Sequence, residues 1–556
     1  MSDRTGVDYS MLTGLRRLSK AYGIHLSRKQ YALAALPNSP ISISCYAWMA
    51  NYFKTVGDDM PNTDEVHLEA CEVKDIYENE YVAYMKNSEL PYLSYPHFGK
   101  MWMHLFAHVK IREYKAVSMH CATCDELSRL RKTFKGQLER EYCTMMHQLH
   151  RVAYMGERAA YAERIIKATS QPHKYLSVVA DGMQQRHSMM PHFGTSDEWS
   201  TTLPQHLQGV MMHGRSLNIY RTFHNVKLGC NVAIHTFLLD LEKLSKKPGG
   251  IPPIIYYQID GGCENTAVAV RVLCELLVAR RICKKIVLSR LLVGHTHCDI
   301  DSKYGILWRK CRTSQIYFPQ KYKSMIETTL SKKKMKCVVD DIFAVPDYKT
   351  LLDSLTDGDL VSAFTGDKTL HQWIFEACTP DSYFHNGVKC FFRSYSSDEV
   401  PQILLDGRKF CGLDAKVADV FTFPMKDEEK GIMVDGMIHI SGKLPSEKPV
   451  VMPFIQGSRQ LLDTVHTKIK ARFHQNGQHV IQQWDAFVSR CPRNDDADEY
   501  VRQHGLHIPF GDILFSENPV DSAVVEADPE RVEYNLERMR TTDCIKWKRW
   551  GVKLSL

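Results

Sequence analysis

The sequence predicts an α/β protein in which a mixed-sheet core follows a helical N-terminal region and precedes a mixed α+β C-terminal domain. Three observations carry this expectation. From Tyr175 to the helix after Asp299 the apolar pattern changes period in the order β-β-β-α-β-α-β-α. The first three strand-like segments have short connections, as antiparallel hairpins do, whereas the last two are flanked by helices, as parallel crossover units are. Residues 1–110 carry mainly helical periodicity instead.

The 556 residues allow three or four domains at roughly 150 residues each. Residues 1–115 read as a helical N-terminal region. Leu15 to Leu36 suits two short helices around a turn, either a helix-turn-helix reader of DNA or a plain packing pair. CYAWMANYF (Cys45 to Phe53) is a strongly apolar helix, GDDMPN a turn, and Tyr95 to Phe106 a further helix. Residues 116–170 hold the pair Cys121-x-x-Cys124 and then a long charged helix from Asp125 to Lys167.

The core is expected over 171–330. YLSVVAD from Tyr175, LQGVMMHG from Leu207 and LNIYRTF from Leu217 are its first strands. A helix over Asn231 to Leu244 stops at the breaker KKPGG. The buried strand PIIYYQID, a helix over Thr266 to Arg281, the strand KKIVLSRLLVG and a helix after Asp299 complete it. Residues 331–556 form the C-terminal domain, with strand-like segments such as VKCFFRSYS and GIMVDGMIHISG, then helix from about Arg459.

Composition excludes little but bounds the class. Hydrophobic residues are 44% and charged residues 24%, a globular balance. No apolar run reaches the roughly 18 residues that span a bilayer, and MSDRTGVDYS has no secretory h-region, so the protein is expected not to be secreted. The 17 cysteines are odd in number and scattered, which suits reduced thiols and one metal site. The net charge of +7 permits a polyanionic partner without demanding one.

Carboxylates fall where the core could use them. Asp181 ends the first strand, Asp260 ends the fourth, and Asp299 and Asp301 follow the fifth. A charge ending an apolar strand is costly unless it is paired or binds a cation. First and fourth strands adjacent in a mixed sheet would set Asp181 beside Asp260, and a divalent cation would relieve their repulsion. Asp301, from the last helix, would complete an oxygen site for two Mg²⁺ or Mn²⁺ ions able to activate water or a 3′-hydroxyl against a phosphodiester. Each aspartate alone reads as readily as a turn or cap residue; Asp181-Gly182 is a common turn pair.

The same segments resemble a family of transposon-derived eukaryotic proteins, recorded as a domain of unknown function. Its motifs are D-G-M-D-Q, D-N-x-x-x-N-K-N and V-G-H-T-H-x-x-x-D. This chain reads DGMQQ from Asp181, DGGCENT from Asp260 and VGHTHCDID from Val293 to Asp301. PISISCYAWMANYFKTVGDDMPN, CATC and ERAAY extend the likeness over about residues 20–320. The resemblance implies a DD(E/D)-type transposase with a ribonuclease-H-like core. It selects Asp181, Asp260 and Asp301 as catalytic metal ligands and implies DNA cleavage and strand transfer. Gln184 stands where the family has its second Asp, Gly261 where it has Asn, and Asn265-Thr266 replaces N-K-N. These departures leave open a domesticated, catalytically silent DNA-binding protein, or a structure-specific nuclease without strand transfer.

Auxiliary candidates surround the acids. His295 or His297 could shuttle a proton or satisfy a tight turn. Asp299 lies about 200° from Asp301 around a helix, so only one of them faces a given site. Glu264 and Asn265, one turn beyond Asp260, suit ligand orientation or, for Asn265, an N-cap. Cys121 and Cys124 with His147 and His150 on the next helix suggest a structural Zn²⁺ site, or a reduced thiol pair beside an ordinary helix. Lys332, Lys333 and Lys334 in SKKKMK, and Arg309 and Lys310 after Asp301, are candidate phosphate contacts or solvated charges. SKKKMK also resembles a nuclear-import cluster. The expected partner is DNA, the expected site of action the nucleus, and an active form would be a homo-oligomer.

Overall fold

The computed structural model describes residues 39–59, 65–68, 71–111, 121–193, 201–260, 268–292, 294–295, 298–331, 336–355, 371–377, 388–393, 432–434 and 447–515. It divides into two compact units, one of described residues up to Arg158 and one from Ala159 onward. Among the described residues no helix is long and apolar enough to cross a membrane.

The first unit is mostly helical. Helix α1 (Pro40–Val56) begins with proline in its first turn, and the Ser39 hydroxyl accepts the Ser42 amide as its N-cap. Three short strands, β1 (Asp58–Asp59), β2 (Val66–Leu68) and β3 (Val109–Ile111), form a small sheet in that order. Helix α2 (Tyr95–Leu105) lies between the second and third. An aromatic core of Phe53, Tyr81, Phe98, Trp102 and Phe106 joins these elements, with Phe53 and Trp102 centroids 4.6 Å apart. The single helix expected over 125–167 is two: α3 (Ala122–Thr133) and α4 (Gln137–Ser170). Phe134 leaves the helical region with ψ 133°, and Gly136 follows it before the chain turns helical again.

The second unit is built on one mixed sheet. Its first strands are β4 (Tyr175–Met183), β5 (His192–Phe193, set apart in a two-stranded ribbon), β6 (Gln205–Met212) and β7 (Ser216–Phe223). Helix α5 (Cys230–Ser245) leads to β8 (Ile254–Ile259), α6 (Val268–Ala279) to β9 (Lys285–Arg290), and α7 (Asp299–Arg312) follows. Strand β10 (Gln315–Ile316) pairs with β5, and α8 (Pro319–Leu330) leads to β11 (Cys337–Ile342). After α9 (Tyr348–Ser354) come β12 (Gln372–Ala377), β13 (Val388–Arg393) and β14 (Ile432–Val434). The nine-stranded order is β11-β7-β6-β4-β8-β9-β12-β13-β14. β4, β6 and β7 are antiparallel, and β4, β8 and β9 are parallel.

Period-two alternation sends each strand's side chains to two layers. Leu176, Val178, Ala180, Tyr257 and Ile259 pack under α5, α6 and α9. Val179, Met183, Leu207, Met211 and Ile219 pack under α7 and α8. All eight residues of β6 are buried, as a strand covered on both faces must be. The expected strand over 284–294 ends early, at Arg290.

Residues after 331 add strands to this same sheet at both edges, β11 beside β7 and β12 beside β9. The last helices, α10 (Ser458–Phe473), α11 (Gln478–Val488), α12 (Ala497–His504) and α13 (Gly511–Leu514), close the described chain. Trp484 of α11 is fully buried with Leu203 and Phe223 of the sheet region, and its indole N–H donates to the Tyr317 carbonyl at 2.7 Å.

Candidate functional site

Asp181 does not end its strand or open a turn, as the sequence suggested: β4 runs on to Met183 because Asp181 and Gly182 pair with Gly209 and Gln208 of β6, while parallel register still sets Asp181 beside the end of β8. Ala180 of β4 is paired with Ile259 of β8, so Asp181 and Asp260 occupy the next level on neighbouring strands. Adjacent strands lie about 4.8 Å apart. Ala180 and Ile259 face the α5/α6 layer, so alternation turns Asp181 to the opposite layer, the one beneath α7, and directs Asp260 the same way at the strand's end. Both are half-buried.

Helix α7 brings Asp301 over that layer. It starts with a capping box: the Cys298 amide donates to Asp301 Oδ2 at 2.9 Å, with the Cys298 thiol 3.3 Å from the same oxygen. Burial pushes the Cys298 thiol up, and the charges of Asp301 and Asp181 push it further. The Tyr304 hydroxyl, one turn on, is raised by burial and then by Asp181 and Asp301. Both acids therefore act on the same two groups. Tyr304 also fixes the helix to the sheet by donating to the Asp181 carbonyl at 2.7 Å and the Leu207 carbonyl at 3.3 Å.

That approach requires Gly209. It pairs with Asp181 across the antiparallel ladder, and a Cβ there would lie 2.5 Å from the Tyr304 hydroxyl and 2.7 Å from Ile300 Cδ1. Its lone position inside the apolar strand was the signal available in the sequence.

Asp299 is directed elsewhere. Its Oδ2 lies 3.3 Å from His213 Nε2, and the Tyr161 hydroxyl, 3.2 Å from the same nitrogen, accepts the Asp299 amide. His213 Nδ1 meets the Ser177 hydroxyl at 2.9 Å. This polar group ties the start of α7 to β4 and to the end of α4. Gln258, two residues before Asp260 and on its side of β8, is buried, and its Nε2 has no hydrogen-bond partner within the protein. A water or a ligand oxygen would satisfy it.

His295 is buried, with its amide donating to the Leu292 carbonyl at 2.8 Å. Arg309 and Lys310 are exposed on the last turns of α7, and Trp308 beside them stacks on His187 at 4.0 Å. Glu264, Asn265, His297, Lys332, Lys333, Lys334 and the N-terminal helix pair lie outside the described residues.

In the first unit, Cys121 is the N-cap of α3 and Cys124 lies in its first turn, both buried. Cys121 Sγ is 3.2 Å from His150 Nε2 on α4. One donor atom from each of Cys121, Cys124 and His150 lies within 4.8 Å of the others, a group that could hold a metal ion. His147 lies half-buried on α4 and is not in the group. Asp181, Asp260 and Asp301 are not gathered this closely.

The second unit is thus a mixed α/β sheet domain with one acid within central strand β4 and a second directly after β8. Residues 195–372 match a family described as a domain of unknown function (DUF7869). The match begins after Asp181 and includes Asp260 and Asp301. Comparisons with curated proteins and with solved structures find no match.

Proposed function

We propose that the sheet unit is a ribonuclease-H-like, metal-dependent enzyme of the transposase type, which cleaves DNA and transfers a strand. One observation carries the reading: Asp181, within β4, and Asp260, directly after β8, stand at the same level of adjacent parallel strands, on the face that α7 covers. The strand order 3-2-1-4-5 from β7 to β9, antiparallel then parallel, with a helix after the fifth strand, supports it. That order is the one the ribonuclease-H-like fold requires, and it is the arrangement that lets strand ends and a following helix share a cation.

Asp181, Asp260 and Asp301 would hold two divalent cations, whose charge would supply activation of water for cleavage or of a 3′-hydroxyl for joining and stabilisation of the departing oxygen. The exposed Arg309 and Lys310 on α7 would meet backbone phosphates. The transposon kinship belongs to this same reading and rests on the DGMQQ, DGGCENT and VGHTHCDID strings.

A second reading is a silent DNA-binding protein on the same fold. It is favoured by the use of Asp301 Oδ2 as a helix cap and by the wider spacing of the three acids. Supercoiled plasmid and end-labelled duplex incubated with Mn²⁺ separate the two. The enzyme reading expects nicked and joined products from the parent and none from Asp260→Ala. Duplex binding with no product from either protein would establish the silent reading.

A further inference from the structure

We propose that Cys121, Cys124 and His150 of the helical unit are ligands of a structural Zn²⁺ ion. Two thiols and an imidazole select Zn²⁺ over Mg²⁺ or Ca²⁺, because soft sulfur donors suit a borderline-soft ion. Zn–S and Zn–N bonds of about 2.3 and 2.0 Å set tetrahedral donors about 3.5–3.8 Å apart. The observed 3.2 Å between Cys121 Sγ and His150 Nε2, and the 4.8 Å limit over the group, bracket that spacing.

The local fold explains the three positions. Cys121 ends an extended segment as the α3 N-cap, with φ −76° and ψ 116°. Cys124 stands three residues on, so both thiols leave the same end of α3. The amide dipoles of that first turn favour the negative sulfurs that metal binding creates. α4 supplies His150, 3.2 Å from Cys121 Sγ, and its ring also meets Tyr154 edge-on, with centroids 5.4 Å apart. His147 lies three residues before His150, rotated about 60° around α4, and is outside the donor group.

Binding releases both thiol protons to solvent and leaves two thiolates and a neutral imidazole on Zn²⁺, with water or a further donor in fourth place. The ion then pins α3 to α4 across the break at Phe134–Gly136, where no regular hydrogen bonding continues one helix into the next. Burial of Cys121 and Cys124 fits a structural ion rather than a redox pair, because a reactive dithiol needs access.

The test uses the full chain, purified without chelator and dialysed. Elemental analysis should find one Zn²⁺ per chain, and Co²⁺ substitution should give thiolate-to-metal charge-transfer absorption. Cys124→Ser and His150→Ala should each lose at least four-fifths of the metal, while His147→Ala keeps it. Thiol titration should find Cys121 and Cys124 protected until chelator is added. Absence of stoichiometric Zn²⁺ after refolding with Zn²⁺, equal metal loss in His147→Ala and His150→Ala, or a Cys121–Cys124 disulfide in the metal-free chain under reducing purification would each overturn the proposal. Should the cysteine variant not fold, the Co²⁺ spectrum of the parent and the His147/His150 comparison still decide it.

Discussion

The Tyr304 hydroxyl donates to the backbone carbonyl of Asp181 across 2.7 Å, linking the helix that carries Asp301 to the strand that carries the first acid. Tyr304 is 7% exposed, so the bond is made out of water and loss of the hydroxyl removes a buried hydrogen bond. Tyr304→Phe should cost about 1–2 kcal/mol in urea unfolding. The same variant should reduce DNA cleavage more than DNA binding, because it loosens α7 without touching Arg309 or Lys310. A variant equal to the parent in both stability and cleavage would refute this link.

Gly209 should tolerate no side chain. Its Cβ would strike Tyr304 and Ile300 from the sheet side, and the helix above must move to admit it. Gly209→Val should destabilise the protein by about 1–3 kcal/mol, as overpacking a close contact does. Chemical denaturation measures it; an unchanged midpoint would show that α7 does not sit so near β6.

Asp260→Asn should separate stability from function. Without cations, two carboxylates side by side on β4 and β8 repel, so removing one charge should leave stability unchanged or raise it. Added Mn²⁺ should raise the parent's Tm and leave the variant's where it was. Equal Mn²⁺ shifts in both proteins would place the ion elsewhere.

Asp240 gives a pH prediction. It is 1% exposed, and burial pushes its carboxyl up to about 6 against hydrogen bonds from Tyr220 and Asn218. An acid whose folded value lies above its unfolded value favours the folded state while protonated. Its contribution is therefore present at low pH and lost as pH rises through about 4 to 6, by up to about 3 kcal/mol. Buried His224, pushed down to about 4, acts in the opposite sense, so the difference between proteins is the readout. Stability of Asp240→Asn relative to the parent should rise between pH 4 and 7. A constant difference across that range would contradict the assignment.

Trp484→Ala tests whether the last helices belong to the sheet unit's core. The indole is fully buried against Leu203 and Phe223. A loss of about 3–5 kcal/mol in the same cooperative transition that melts the sheet is expected. A separate, earlier transition would show that α10 and α11 melt independently.

The element order from Tyr175 to Arg312 was legible because each segment there has one clear apolar period, and strand length separated β8 and β9 from their helices. The adjacency of Asp181 and Asp260 followed from the same order. Other features depend on contacts that periodicity does not encode. β11 and β12 carry ordinary strand patterns, and nothing local says that they join the sheet beside β7 and β9, far away in sequence. The break at Phe134–Gly136 lies inside a continuous charged pattern whose apolar spacing survives it. Periodicity does not tell Asp299 from Asp301, and only the family likeness favoured Asp301 in the sequence; in the structure their partners differ, His213 for one and the Cys298 amide for the other. The choice of His150 over His147 likewise shows only in the structure, where His150 Nε2 lies 3.2 Å from Cys121 Sγ.

The proposed enzyme requires Asp181 and Asp260 to share at least one of its divalent cations. An anomalous-difference map from crystals grown with Mn²⁺ tests it without reference to any substrate. A peak coordinated by carboxylate oxygens of both residues is predicted. A map with no peak between β4 and β8, or one coordinated by a single aspartate, would contradict the claim.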